Sequence, residues 1–242
     1  MARFFVDKNN IHGSKITVVG EDVIHISKVL RMRPGEELTL CNGEGIDFLC
    51  KIEDISKKEI ICSVISEKEN ESESRIPITI YQSMPKGAKI DYVIQKCVEL
   101  GAARIVTFQS ARSVAKGSKT DRLSRIALEA AKQCGRGIVP QVSYCSDFKD
   151  ALSEFAGHDL SVFAYEEEHV QSLKDVLRNA SPKNIGIMIG PEGGFERGEV
   201  EAAVAQGIKP ISLGKRILRT ETAGLAALSI LMFLIEGRNE EE

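Results

Sequence analysis

The chain has no tryptophan, and Phe and Tyr bring aromatics to only 5% of its 242 residues. Affinity for a nucleic acid therefore cannot rest mainly on bases stacked against rings. Its six cysteines (Cys41, Cys50, Cys62, Cys97, Cys134 and Cys145) form no CxxC pair and no zinc-type spacing. His12, His25, His158 and His169 are scattered and make no HExxH, so the motifs of a metal enzyme are missing and no metal is expected. Long apolar runs are missing too. The longest, residues 223–235, is too short to cross a bilayer and is diluted by Gly224 and Ser229. The opening MARFFVDKNN lacks the apolar core of a signal peptide. Together these absences predict a cytoplasmic protein without membrane attachment, its cysteines reduced thiols on apolar faces.

What is present is the balance of a globular protein, with 43% apolar and 28% charged residues, in a length that holds one large domain or two modest ones. The net charge of −3 is unevenly spread. Residues 84–136 carry eleven Lys or Arg against four Asp or Glu. Segregation on this scale can give an acidic protein a basic face.

The pattern divides the chain. In the first 66 residues, HISKVLRMRPGEE predicts a short helix over residues 25–31, ended by a turn at Pro34-Gly35. ELTLCNGEGIDFLCKI predicts a hairpin around Asn42-Gly43, and EIICSVIS a further strand. A small barrel or sandwich fits, because so few strands need closure to bury one face. SEKENESESR, residues 66–75, has no apolar side chain and is the predicted linker between domains at 1–70 and 71–242. From Ile76 onward strands alternate with helices: ITIYQSM, KIDYVIQKCVELG with its cap at Gly101, RIVTFQS, and DRLSRIALEAAKQCG capped at Gly135. LSVFAYE, IGIMIG and KPISLG follow as strands, with helices at about 171–179 and 198–206 between them. A helix at about 221–236 closes the chain. The fold class is α/β, a mainly parallel sheet covered on both faces, and such sheets bind ligands beyond the carboxyl ends of their strands.

GPEGG, residues 190–194, follows the most apolar strand, so it stands where a ligand would. Its glycines allow close backbone approach, and Pro191 stiffens the turn. A helix start beyond such a loop usually invites an anion, yet the loop lacks the Lys and Ser/Thr of a P-loop and does not match GxGxxG. Glu192 inside it and Glu196 just beyond would repel phosphate. The ligand indicated carries no phosphate and tolerates or prefers positive charge, a description that S-adenosylmethionine meets. A second loop, SLGKRILRTETAG, gathers Lys215, Arg216 and Arg219 beside Glu221, with Thr220 as the predicted N-cap of the closing helix. That helix has more apolar surface than its own domain needs, which predicts a dimer interface.

GPEGGF followed by LGKRILRTETA, with KGAKIDYVIQKCVELGA, EAAKQCGR and HISKVLRMRPGEE in the same order, resembles the RsmE family over nearly the whole chain. This family comprises the ribosomal RNA small-subunit methyltransferases E, of the SPOUT class. The chain departs from the pattern at Leu123, where tryptophan is common, at Cys134, where serine is usual, and at Glu196, where Ser or Thr is frequent. The resemblance implies a PUA-like N-terminal β-barrel, a C-terminal α/β domain with a deep trefoil knot, and a homodimer. It implies S-adenosyl-L-methionine as cofactor and N3 of one uridine in 16S ribosomal RNA, within an assembled 30S particle, as target. The cofactor site expected comprises Ile189, Gly190, Pro191, Glu192, Gly193, Gly194, Leu213, Gly214, Ile217, Leu218, Thr222 and Ala223. Arg219 is expected to face the developing anion of the uracil, and Glu221 to act as base or to hold Arg219. RNA contacts are expected from Arg3, Lys28, Arg31, Arg33, Arg112, Arg122, Arg125 and Arg136. Two alternatives remain open here: a SPOUT enzyme acting on another RNA or on a ribose 2′-hydroxyl, and a non-catalytic ribosome-binding assembly factor.

Overall fold

Asn42 turns the predicted hairpin: its side-chain oxygen accepts from the backbone N–H of Glu44 and Ile46, while Gly43 and Gly45 take positive φ. The computed structural model describes residues 3–114, 120–178 and 180–236. Contacts divide it into two units, Met1–Glu73 with Ala131–Val139, and Ser74–Ala130 with Pro140–Glu242.

The first unit holds β1 (Arg3–Phe5), β2 (Ile11–His12), β3 (Lys15–Val19), β4 (Glu37–Cys41), β5 (Ile46–Ile55) and β6 (Glu59–Glu69), in the order β1-β4-β5-β6-β3-β2. Only β1 and β4 pair in parallel. Register shifts in β5 at Leu49/Cys50 and Ile52/Asp54 bend the long strand, so the sheet curls around a core of Ile16, Ile26, Leu38, Leu40, Ile52 and Ile60. The predicted helix starts earlier than residue 25, as α1 (Glu21–Ile24), and runs on into a π-helical turn over His25–Val29. The predicted linker also begins later than residue 66. Ser66 to Glu69 are strand, paired with β5 from Ile46 to Leu49, because backbone pairing asks nothing of side chains that all face water. Residues 131–139 group with this unit through Asn70, which donates to the Gly135 carbonyl, and through Glu73, which pairs with Arg136 and accepts from the Ile138 N–H.

The second unit has β7 (Ile78–Ser83), β8 (Arg104–Phe108), β9 (Gln141–Cys145), β10 (Leu160–Ala164), β11 (Ile185–Ile189) and β12 (Lys209–Ile211). They form one sheet, all parallel, in the order β12-β10-β11-β7-β8-β9. The helices are α2 (Lys89–Glu99), α3 (Thr120–Cys134), α4 (Phe148–Phe155), α5 (Leu173–Arg178), α6 (Arg197–Ala205) and α7 (Thr220–Glu236). Asn179, the end expected for one helix, lies outside the described residues. Strand alternation splits the core. Tyr81, Phe108, Phe163 and Met188 pack against Leu152 and Phe155 of α4, while α7 packs on β7 and β11 and against α2. β7 and β11 are buried along their whole length, which explains the unbroken apolar run of β11, while β7 buries the polar Thr79, Gln82 and Ser83 as well. All six cysteines are free thiols, and burial pushes Cys62 and Cys97 up to about 12.

Candidate active site

Leaving β11, the chain takes the GPEGG turn, with Gly194 at φ +68°. A Cβ on Gly194 would overlap the Glu166 carboxylate, and one on Gly190 would lie 3.2 Å from the Phe195 ring. Gly194 is thus favoured by its left-handed conformation, and at Gly190 a side chain would press on the Phe195 ring. Facing this turn is the 212–219 loop after β12. Together they line a cleft of about 730 Å³ with Lys89, with Ala164 at the end of β10 and Tyr165, Glu166, Glu168 and His169 after it, and with Ala223 of α7. That volume suits a small organic ligand, and the cleft opens at the carboxyl ends of the parallel strands.

Eleven of the twelve residues expected at the cofactor site line the cleft: Ile189, Gly190, Pro191, Glu192, Gly193, Gly194, Leu213, Gly214, Ile217, Leu218 and Ala223. Thr222 is exposed and is not among them. Arg219 lines the cleft beside Lys215 and Arg216, whereas Glu221 does not. Ile211 adds to the apolar wall. The stretch after β10 was missed by sequence reasoning, although YEEEH at a strand's carboxyl end was a usable signal.

The two carboxylates that made the loop unusual have separate partners. Glu192 accepts from Lys89 Nζ at 3.0 Å and from the Lys86 backbone N–H at 3.1 Å. Partial burial acts to raise its carboxyl, but the hydrogen bonds from Lys89 and the backbone outweigh this and hold it below the usual range. The same Lys89 ammonium lies 3.3 Å from Glu221 Oε2. Glu221, expected to act as base or to hold Arg219, therefore faces a cation of α2. Glu196 is structural: it forms a capping box with Glu199 at the start of α6. Glu199 Oε2 accepts from the Glu196 N–H, and Oε1 from the Ala111 N–H.

Thr220, expected as an N-cap, is instead the first residue inside α7. Its hydroxyl reaches across to donate to the Gly190 carbonyl at 2.6 Å and accepts from Gln82 Nε2 at 2.9 Å. Arg219 supplies the carbonyl that the first N–H groups of α7 bond, those of Thr222 and Ala223.

Of the residues expected to grip RNA, Lys28, Arg31, Arg33, Arg112 and Arg125 are exposed. Arg112 also donates to the Gly193 carbonyl at 2.7 Å, and Arg122 is half-exposed and paired with Asp91. Arg3 and Arg136 are corrections. Arg3 is locked to buried Asp47, and Arg136, only 3% exposed, to Glu73. Both guanidinium groups are committed to holding the first unit together and leave nothing to offer a surface ligand.

An RNA methyltransferase domain family matches residues 72–232, and an RNA methyltransferase PUA domain family residues 20–65. The chain belongs to the ribosomal RNA small subunit methyltransferase E family. It is 37% identical to the Bacillus subtilis protein of that name, over 98% of both chains. The Synechocystis protein of that name is 30% identical over 97% of this chain and 78% of its own. The fold superposes on the crystal structure of the Neisseria gonorrhoeae ribosomal RNA small subunit methyltransferase E bound to S-adenosyl methionine, with a TM-score of 0.88. That pair is 31% identical over 97% and 98% of the two chains. As a member of the methyltransferase E family, the chain is an RNA methyltransferase with an α/β fold and a PUA-like unit.

Proposed function

We propose that the protein transfers a methyl group from S-adenosyl-L-methionine to N3 of one uridine in 16S ribosomal RNA, acting on the assembled small subunit in the cytoplasm. The observation that carries this reading is the cleft built by the GPEGG and LGKRILRT loops. Its apolar walls, Ile189, Ile211, Leu213 and Leu218, suit an adenine ring, and its backbone groups suit the ring's edge. Its lining carries both signs of charge, Glu166 and Glu168 against Lys215, Arg216 and Arg219. That matches a ligand whose amino-acid end carries an ammonium, a carboxylate and a neighbouring sulfonium. The cofactor supplies an electrophilic methyl on a cationic sulfur, which leaves as a neutral thioether.

The chain's part is to hold the uracil in line with that methyl and to stabilise it as N3 loses its proton to water. Charge then spreads to the two ring oxygens. Arg219, exposed in the cleft, is assigned to that charge. Glu221, which is not in the cleft lining and pairs with Lys89 that is, is assigned to fixing the start of α7. The PUA-like unit is assigned to RNA grip through Lys28, Arg31 and Arg33. A deep knot is part of this reading: α7 follows edge strand β12 yet packs on β7 and β11 at the sheet's centre. So is a homodimer through α7, whose Ile230 and Phe233 are 41% and 76% exposed one turn apart.

The test is transfer of label from methyl-tritiated S-adenosylmethionine to small subunits from cells lacking the protein, followed by nucleoside analysis. Label in 3-methyluridine is the expected result. Label in a 2′-O-methyl or another nucleoside would transfer the chain to a different specificity, and cofactor binding without label would remove the substrate assigned here.

A further inference from the structure

Gln82 stands one residue before the end of β7, opposite Ile189 in the β11 register, where the strand ladder stops and the GPEGG turn begins. It is fully buried and is absent from the cleft lining. Its Nε2 lies 2.9 Å from Thr220 Oγ1 and 3.0 Å from the Ser83 carbonyl. The Thr220 hydroxyl in turn lies 2.6 Å from the Gly190 carbonyl. Counting protons fixes the direction of this chain. The Gly190 oxygen can only accept, so the single hydroxyl proton of Thr220 goes there, and Thr220 must accept from Gln82. The nitrogen of the Gln82 amide is therefore the end that faces Thr220, and its oxygen is turned toward Gly224, where a Cβ would come within 3.4 Å of it. That oxygen is buried without a hydrogen-bond partner among the described residues.

A leucine would fill the same space without the orphaned amide oxygen, but would take away the donor to Thr220 and to the Ser83 carbonyl. Keeping an amide here costs stability, and what the amide supplies in return is its donor.

We propose that Gln82 is a positioning residue for the cofactor site. Through Thr220 it sets the plane of the Gly190–Pro191 peptide, and so the direction in which the rest of the GPEGG turn presents its backbone. Thr220 also begins α7 and ends the 212–219 loop, so the one relay couples both loops of the cleft. This inference rests on the reading that the cleft holds S-adenosylmethionine.

The test uses the full chain with Gln82→Leu, Thr220→Val, Thr220→Ser and the Gln82→Leu/Thr220→Val double variant. S-adenosylmethionine and S-adenosylhomocysteine affinities are read by calorimetric titration, and Tm separately. Gln82→Leu and Thr220→Val should each weaken both ligands by about tenfold, with Tm within about 4 °C of wild type. Thr220→Ser should bind as wild type does, and the double variant no worse than the weaker single, as expected for one chain of bonds. Affinities within about twofold of wild type, a serine variant as weak as the valine one, or losses that merely track Tm would each overturn the relay. A wild-type protein that binds neither ligand would overturn the cofactor reading and the relay with it.

Discussion

Lys89 ties two carboxylates of the site together through one side chain. Its ammonium serves Glu192 in the GPEGG turn and Glu221 at the start of α7 at once, joining three segments that are far apart in the chain. Replacing it by Met keeps the stem and leaves two carboxylates facing each other without a counter-ion. Lys89→Met is expected to weaken cofactor binding severalfold, read by titration at neutral pH. The pH dependence has a definite sign. The Glu192 carboxyl is held below its usual 4.5 in the fold, so its pairing contributes fully above that value and is lost as pH falls through the lower, folded one. The stability this pairing contributes should therefore be lost only at acid pH, read by denaturant titration across pH, and Lys89→Met should lack that part of the loss. In the sequence the glycines and both carboxylates of this site were plain, because local spacing announces a turn. Lys89 was not, because its role is a contact made across 103 residues, and spacing carries no information about such contacts.

The start of α6 shows an element whose sequence pointed toward a ligand and whose structure points inward. Glu196 and Glu199 satisfy each other's backbone donors, and Glu199 also takes the Ala111 N–H while 9% exposed. Glu199→Ala would leave two backbone N–H groups without acceptors and is expected to cost about 2 kcal/mol of unfolding free energy, measured by denaturant titration. Glu196→Ala, losing only a cap, is expected to cost about 1 kcal/mol. A Glu199 variant as stable as wild type would show that the box contributes nothing. The parallel α/β pattern, the caps at Gly101 and Gly135 and the GPEGG turn were all legible at this scale. β9 and α4 were not read, although Asp147 accepts from the Asp150 N–H as an N-cap and Phe148, Ala151, Leu152 and Phe155 keep helical spacing. They follow the 131–139 excursion, where the strand–helix alternation is interrupted. The far end of β6 was illegible for a physical reason: its last five residues are all exposed, and only backbone bonds hold them.

Over the whole molecule, the local basic excess proves to be largely consumed. Of the eleven cations in residues 84–136, Lys89, Lys96, Arg104, Arg122, Lys132 and Arg136 are in ion pairs with carboxylates. Lys116 and Lys119 lie outside the described residues. A count of cations along the sequence thus overstates the field an RNA meets, because it cannot see which are neutralised at home. The surface-directed cations of the PUA-like unit matter correspondingly more. Arg31 is the one non-glycine residue at positive φ among the described residues, a conformation that costs about 1 kcal/mol and holds its side chain at the exposed end of the π-helical turn, two residues before Arg33. If Arg31 and Arg33 each neutralise one phosphate, their double replacement by Gln should reduce the slope of log K against log salt for ribosomal RNA by about 1.5. Unfolding free energy should stay nearly unchanged. Arg136→Gln should do the reverse, losing about 3 kcal/mol of stability as Glu73 is left unpaired while the salt slope holds. Fluorescence anisotropy at several salt concentrations, paired with denaturant titration of the same variants, separates the two roles. Equal slopes for all of them would move the RNA contacts away from the π-helical turn.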